Sequence, residues 1–152
     1  MALIECPECK RQISDKANTC VGCGAPVIVI SDIQKRIIGN PIRIGLLEIA
    51  QNDFPKKMNW EEARLACENL KFGWRLPTKD ELNRIYLQKS TKKISLNSGN
   101  YWSSTEYYSS TAIHGFAGQA WIQTSYSGKQ DTDTKYNDNY VRAVREFNQR
   151  GY

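Results

Sequence analysis

Apolar positions along this chain recur with two different periods, and the changes of period outline the elements. The run Ile42-Arg43-Ile44-Gly45-Leu46-Leu47-Glu48-Ile49-Ala50 opens with alternation and predicts a first strand. At residue 59 the period lengthens. Asn59 with Glu62 three residues later makes an N-cap pair, Trp60 starts a helix, and Ala63, Ala66, Cys67 and Leu70 form its apolar stripe before Phe72-Gly73 ends it. Thr78 with Glu81, just after Pro77, is a second capping box, followed by Leu82, Ile85 and Tyr86 on one helical face. The connector Gly73-Trp74-Arg75-Leu76-Pro77-Thr78 predicts a buried corner holding both helices against a sheet. Aromatic and β-branched residues in Tyr101-Trp102-Ser103-Ser104-Thr105-Glu106 and in Tyr140-Val141-Arg142-Ala143-Val144-Arg145 predict half-buried strands. Trp74, Trp102, Trp121, Val141 and Val144 are the expected core of this frame. Upstream, residues 27–38 mix β-branched and charged positions and suggest a short strand and a connecting segment, with Gly39-Asn40-Pro41 as the domain boundary.

Between the two framework strands the pattern dissolves into Ser, Thr, Tyr, Asn, Asp, Gly and Gln. Six of the eight tyrosines fall in residues 101–145. Tyr offers a large, rigid contact surface at low entropic cost while Ser, Gly and Asn adapt their hydrogen bonds, so this composition suits a binding surface and, equally, an ordinary polar loop region. The totals narrow the partners. With 152 residues and a net charge of +5, the chain suits one domain with a small module, and no element concentrates basic residues as nucleic-acid binding requires. No apolar run approaches membrane-spanning length, and Met-Ala-Leu-Ile-Glu lacks the character of a secretory leader, so a cytoplasmic location is expected.

Cysteine carries the clearest chemistry. Cys6-Pro7-Glu8-Cys9 and Cys20-Val21-Gly22-Cys23 are two C-x-x-C knuckles that can place four thiolates around one tetrahedral Zn²⁺. A segment so short cannot bury a self-sufficient core, so metal binding and folding should be one event. With all four ligands protein-derived, the zinc is expected to be structural. Cys67, alone on an apolar stripe, reads as a small core residue. His114 is the one histidine, and nothing marks a catalytic partner for it.

Two resemblances sharpen this picture. With Ile13-Ser14-Asp15-Lys16-Ala17 between the knuckles, residues 1–26 resemble short bacterial zinc ribbons. Taken in order, Gly73-Trp74-Arg75-Leu76-Pro77-Thr78, Glu81-Leu82, Tyr101-Trp102-Ser103-Ser104-Thr105, Ala120-Trp121 and Tyr140-Val141-Arg142-Ala143-Val144-Arg145 resemble the Lcl C-terminal domain family over about residues 40–147. They are closer still to the variable proteins of bacterial diversity-generating retroelements. That resemblance implies an α+β chain: a C-type-lectin-like domain of the formylglycine-generating-enzyme type, with two helices packed on a small twisted antiparallel sheet. Residues 1–26 would be the zinc ribbon, 27–40 a linker and 41–152 the ligand-binding domain. In such variable proteins the frame holds a central Gly and a later Lys, matched here by Gly128 and Lys135, and adenine-directed mutagenesis diversifies the positions between. By that correspondence the ligand-binding positions are Ile122, Thr124, Tyr126, Ser127, Lys129 and Asp131. They continue through Thr132, Asp133, Thr134, Tyr136, Asn137 and Asn139, with Tyr107, Tyr108, Ser109, Ser110 and Thr111 from the preceding loop. Gln123 and Ser125 depart from the apolar residues usual there, and residues 106–120 are longer than usual.

The expected function is non-enzymatic recognition of a protein or glycan ligand, without a membrane or nucleic-acid partner. Two alternatives fit the residues less well. A ribbon contacting nucleic acid lacks the needed basic excess, since Lys10, Arg11 and Lys16 face Glu5, Glu8 and Asp15. A formylglycine-generating relative lacks the second active-site cysteine. Calcium-dependent sugar binding needs a dedicated oxygen cage, of which Tyr136-Asn137-Asp138 is a fragment.

Overall fold

The computed structural model describes residues 2–6, 8–27, 32–108 and 118–147 of a chain that forms two units, 1–32 and 33–152. In the first unit, strands β1 (Leu3–Glu5) and β2 (Gln12–Ser14) pair antiparallel with Ile4 opposite Ile13. Its core is Cys6, Ile13 and Cys20 with the partly buried Ile4 and Val27. Two of those three buried residues are cysteines of the knuckles, so apolar burial alone is a thin source of stability.

Helix α1 (Asp32–Ile38) stands where the sequence suggests a strand and connector. The β-branched isoleucines obscure a helical arrangement: Asp32 lies in the first turn, Lys35 and Arg36 in the last, and Ile37 and Ile38 pack on the main core. Residues 28–31 lie outside the described residues. The expected first strand is a tight hairpin, β3 (Ile42–Ile44) and β4 (Leu47–Ile49), turning at Gly45, whose φ of +61° is the left-handed conformation that glycine tolerates.

The two predicted helices are found at their predicted starts. Helix α2 (Trp60–Glu68) is capped by Asn59, whose Oδ1 accepts the Glu62 N–H at 2.9 Å. Helix α3 (Lys79–Gln88) carries the complete capping box: Thr78 Oγ1 accepts the Glu81 N–H at 3.2 Å, and Glu81 Oε1 accepts the Thr78 N–H at 2.8 Å. The connector is the expected corner. Trp74, Leu76 and Pro77 are almost wholly buried, and Arg75 exchanges backbone hydrogen bonds with Val144.

Strands β5 (Asn100–Tyr107), β6 (Gln119–Thr124) and β7 (Gln130–Thr134) form an antiparallel sheet in chain order. Its register sets everything that follows. Trp102 pairs with Ile122 and Ile122 with Asp131, so these three share a face; Trp121 pairs with Thr132 on the opposite face. The first face packs on α2 through Trp60, Ala63, Cys67, Leu70, Trp102, Ala120 and Ile122. Trp102 is fully buried and its Nε1 donates to the Met58 carbonyl at 2.8 Å. The last predicted strand is short: β8 (Val144–Glu146) pairs with β4, completing a second three-stranded sheet, β3-β4-β8. Just before it, Arg142 is buried to join three segments. It donates to Asp53 at 2.6 Å and to the carbonyls of Ala50 and Ser95. Asp53 also accepts from Tyr101 and Asn97, so the buried charges are paired and hydrogen-bonded.

Candidate metal centre and ligand surface

The two cysteine knuckles are built alike. Cys6 N–H donates to the Arg11 carbonyl at 2.9 Å and Cys20 N–H to the Ala25 carbonyl at 2.8 Å. In each, the N–H four residues on returns to the first cysteine's carbonyl, Lys10 to Cys6 at 3.0 Å and Gly24 to Cys20 at 2.9 Å. Lys10 and Gly24 both take left-handed φ values, +62° and +74°, that curl the chain around its sulfurs. The four Sγ atoms lie within 4.8 Å of one another, with Cys6 to Cys23 at 3.7 Å and Cys9 to Cys20 at 3.5 Å. Sulfurs held tetrahedrally at the usual zinc–thiolate distance would sit about 3.8 Å apart, so the set fits a closed Cys₄ site. Backbone N–H groups of Cys23 and Gly22 directed at Cys20 lower its thiol pKa to about 6, while at Cys23 the Ala25 N–H is outweighed by burial and the three neighbouring thiols, which push it up to about 12, so the four sulfurs share the charge unevenly. Cys6 and Cys20 are buried while Cys9 and Cys23 are exposed.

Cys67 is fully buried, and desolvation pushes its thiol well above the ordinary range. It packs in the core as the sequence suggests. His114 lies outside the described residues.

The seventeen ligand-surface positions do not form one patch. Ser109, Ser110 and Thr111 lie outside the described residues. Ile122 and Asn139 are each 6 % exposed and cannot meet a ligand. Ile122 is on the core face of β6, and Asn139 pairs its backbone with Met58 while its side chain donates to Asp133 at 2.8 Å. Asp133 is occupied too, accepting from Asn137 at 2.7 Å as well and so organising the loop after β7. Thr124 donates to Asn100 at 2.7 Å.

The rest divide between the two ends of β7. At one end are Tyr126 and Ser127, in the turn between β6 and β7, with Lys129 and Asp131 paired at 3.3 Å. At the other end β5 runs out through Tyr107 and Tyr108, and β7 through Thr134 into Tyr136 and Asn137. Five strand residues separate these ends by about 13 Å. The second end is tied together by Glu106, whose Oε2 accepts from Lys135 at 2.6 Å and from Tyr108 at 2.7 Å. Lys135 and then Tyr108 hold the Glu106 carboxyl below its usual pKa. Lys135 also lies over the Trp60 ring at 4.2 Å, anchoring the loop on α2. Tyr108 and Tyr136, 80 % and 78 % exposed, stand free of the core here.

The sequence also hid part of this surface. Trp121, expected in the core, is only partly buried because its pairing with Thr132 puts it on the face away from α2. There Tyr107 meets its ring edge-on at 5.9 Å and Lys79 lies 3.6 Å from its centre. Thr132 donates to Gln119 at 3.1 Å beside them. Lys79, Gln119 and Trp121 thus share this face with Tyr107 and Thr132. Strand parity was the available signal, since Ala120 and Ile122 are the apolar positions that alternate around Trp121.

A family model described as the Lcl C-terminal domain matches residues 41–145. Among solved structures, botrocetin superposes with a TM-score of 0.53 at 9% identity, covering 71% of this chain and 97% of that one. The snake venom toxin convulxin gives 0.52 at 11% identity, covering 72% and 97%. At these identities the likeness is one of fold. A comparison with curated proteins finds no match.

Proposed function

Because the chain belongs to the Lcl C-terminal domain family and its fold is C-type-lectin-like, we propose that it is a non-enzymatic recognition protein of the retroelement-diversified kind. Its ligand surface is the end of the β5-β6-β7 sheet that carries Tyr107, Tyr108, Thr132, Thr134, Tyr136 and Asn137, extended by Trp121. The ligand is a protein or a glycan. One observation carries this reading: Tyr108 and Tyr136 stand exposed at one end of the sheet, where Glu106 accepts from Tyr108 and Lys135 and Lys135 lies over Trp60, while Tyr107 packs on Trp121 at the same end. Exposed aromatic patches mark interaction sites, and Tyr is among the side chains that most often dominate them. The inert, buried Cys67 supports a binding role over an enzymatic one.

Cys6, Cys9, Cys20 and Cys23 would hold a structural Zn²⁺, which supplies the ribbon with the cross-link its small core lacks. Four thiols kept available for metal suit a reducing compartment such as the cytoplasm. No helix among the described residues is long and apolar enough to cross a membrane.

The test combines binding and genetics. Against a partner identified by glycan array or affinity capture and then purified, Tyr108→Ala and Tyr136→Ala should each weaken binding by at least about fivefold, the effect of a hot spot worth 1 kcal/mol. Their melting temperatures should match the parent. Unchanged affinity in the double variant would remove the surface. A near-copy of the codons for residues 101–145 beside a reverse-transcriptase gene is the expected sign of diversification; a locus without one would remove that part of the proposal.

A further inference from the structure

Tyr126, at the far end of β7 from the other exposed tyrosines, stands over a separate concavity of about 440 Å³. Its walls come from the turn after α3, the segment through residue 98, and the β6–β7 turn. The volume is that of a small-molecule site. Two lysines, Lys89 and Lys93, line it together with Ser90, Ser95, Ser98 and Ser125, and no carboxylate does.

The back wall is fixed. Ser125 Oγ donates to the Asn97 carbonyl at 2.6 Å and accepts the Gly99 N–H at 3.0 Å, while the Ser125 N–H donates to the Gly99 carbonyl at 2.9 Å. Lys89 is also held, donating to the Ser125 carbonyl at 2.6 Å with its ammonium 4.6 Å from the Tyr86 ring centre. Gly128 makes that packing possible, since a Cβ there would lie 2.3 Å from Tyr86. The remaining donors have no internal work. The hydroxyls of Ser90, Ser95 and Ser98 and the ammonium of Lys93 are exposed, without side-chain partners among the described residues.

A basic residue at a helix C-terminus is ordinarily explained by the macrodipole, and that explanation covers Lys89. It does not cover Lys93, four residues further on, nor the three hydroxyls. Lys93 has a φ of +56°, while the Ile94 N–H donates to the Lys89 carbonyl at 2.8 Å to close the helix.

We propose that this concavity binds a tetrahedral oxyanion ester, a phosphate or sulfate monoester carried on a body of monosaccharide size. Lys89 and Lys93 supply the charge and Ser90, Ser95 and Ser98 the hydroxyl donors, which together match the acceptor-only oxygens of such a group. Tyr126, 70 % exposed at the rim, covers the attached ring. The site goes beyond the ligand surface at the other end of the sheet and stands or falls separately from it.

The probes are glucose 6-phosphate, glucose 6-sulfate and neutral glucose, titrated at constant ionic strength into the full chain labelled with ¹⁵N. The expected result is saturable amide shifts confined to residues 89–98 and 125–127 with the two esters and none with glucose. Lys93→Met should weaken ester binding about tenfold, the loss of one charge-assisted contact, while Lys56→Met at another exposed lysine leaves it unchanged. A preference between the esters identifies the source of the anion. Shifts spread over the surface, shifts equal with glucose, or full affinity in a folded Lys93→Met variant would overturn the proposal. Because Tyr108→Ala and Tyr136→Ala leave this concavity intact, its failure is distinguishable from failure of the ligand surface.

Discussion

Trp102 and Trp121 stand on paired strands, and one residue of register separates a core side chain from a surface one. Both look like framework in the sequence, and a uniform penalty of about 3–5 kcal/mol for truncating either would follow if both were buried. The structure divides them. Trp102→Ala should lose that amount, because the ring is fully enclosed and its Nε1 hydrogen bond to the Met58 carbonyl goes with it. Trp121→Ala should lose only about 1–2 kcal/mol, since its ring is partly solvated and rests on Tyr107 and Lys79. Urea midpoints at unchanged slope make the comparison, and equal losses would contradict the register described. The identity of the core residues was legible where neighbours agree: Trp74, Val141 and Val144 are buried as expected. It failed at Trp121, and at Ile122 among the supposed ligand positions, because parity depends on register. Alternation separates Trp121 from Ala120 and Ile122, and the pairing of Trp102 with Ile122 decides which set faces the core.

Elements specified by local rules were the most legible. Asn59 and Thr78 announced α2 and α3 because a cap is a contact between residues three apart. Isoleucines hid the helical arrangement of α1, and Gly45 turns the expected first strand back on itself as the β3–β4 hairpin; the short β8 was overextended because its limits depend on partners far along the chain, such as Arg75 pairing with Val144. The α3 cap carries a further interaction of this long-range kind. Arg75 grips the same Glu81 carboxylate with two hydrogen bonds, 2.7 and 3.0 Å, so one side chain closes the helix and pins the corner. Burial works to raise the Glu81 pKa, but Arg75 and the Thr78 N–H outweigh it and hold the group below its ordinary value. A carboxylate depressed in the folded state contributes stability that is fully present above its unfolded pKa and is lost as pH falls through the folded one. Glu81→Gln should therefore be clearly less stable than the parent at pH 7, with the gap closing below about pH 4. Denaturant midpoints at pH 7 and pH 3 read this directly, and a gap independent of pH would show that Glu81 acts by shape alone. Thr78→Ala should lose about 1 kcal/mol at either pH, because a hydroxyl cap does not titrate.

The two units differ in what sustains them, and that difference predicts how the whole chain responds to losing metal. The unit of residues 33–152 has two apolar clusters, one around Trp102 and α2 and one around Ile49, Ile85 and Val144, so its stability comes from burial. The first unit has a three-residue core, two of whose members are the proposed ligands Cys6 and Cys20, and its strands are three residues long. Two-stranded hairpins of that size are marginal in water, so the metal has to supply the cross-link that the apolar core cannot. Protein purified without chelator should carry close to one zinc per chain. A strong chelator, or Cys20→Ser, should then abolish amide-exchange protection at Cys6, Cys20, Gly24 and Val27, whose N–H groups close the knuckles and join Val27 to Asn18. Protection at Trp102, Ala120 and Val144 should be unchanged, as should the main thermal transition. The same treatment should leave affinity at the tyrosine surface intact, because every residue assigned to it lies in the second unit. Ribbon amides that stay protected after zinc removal would show that the ribbon folds without metal, and a destabilised main transition would show that the second unit is not self-sufficient.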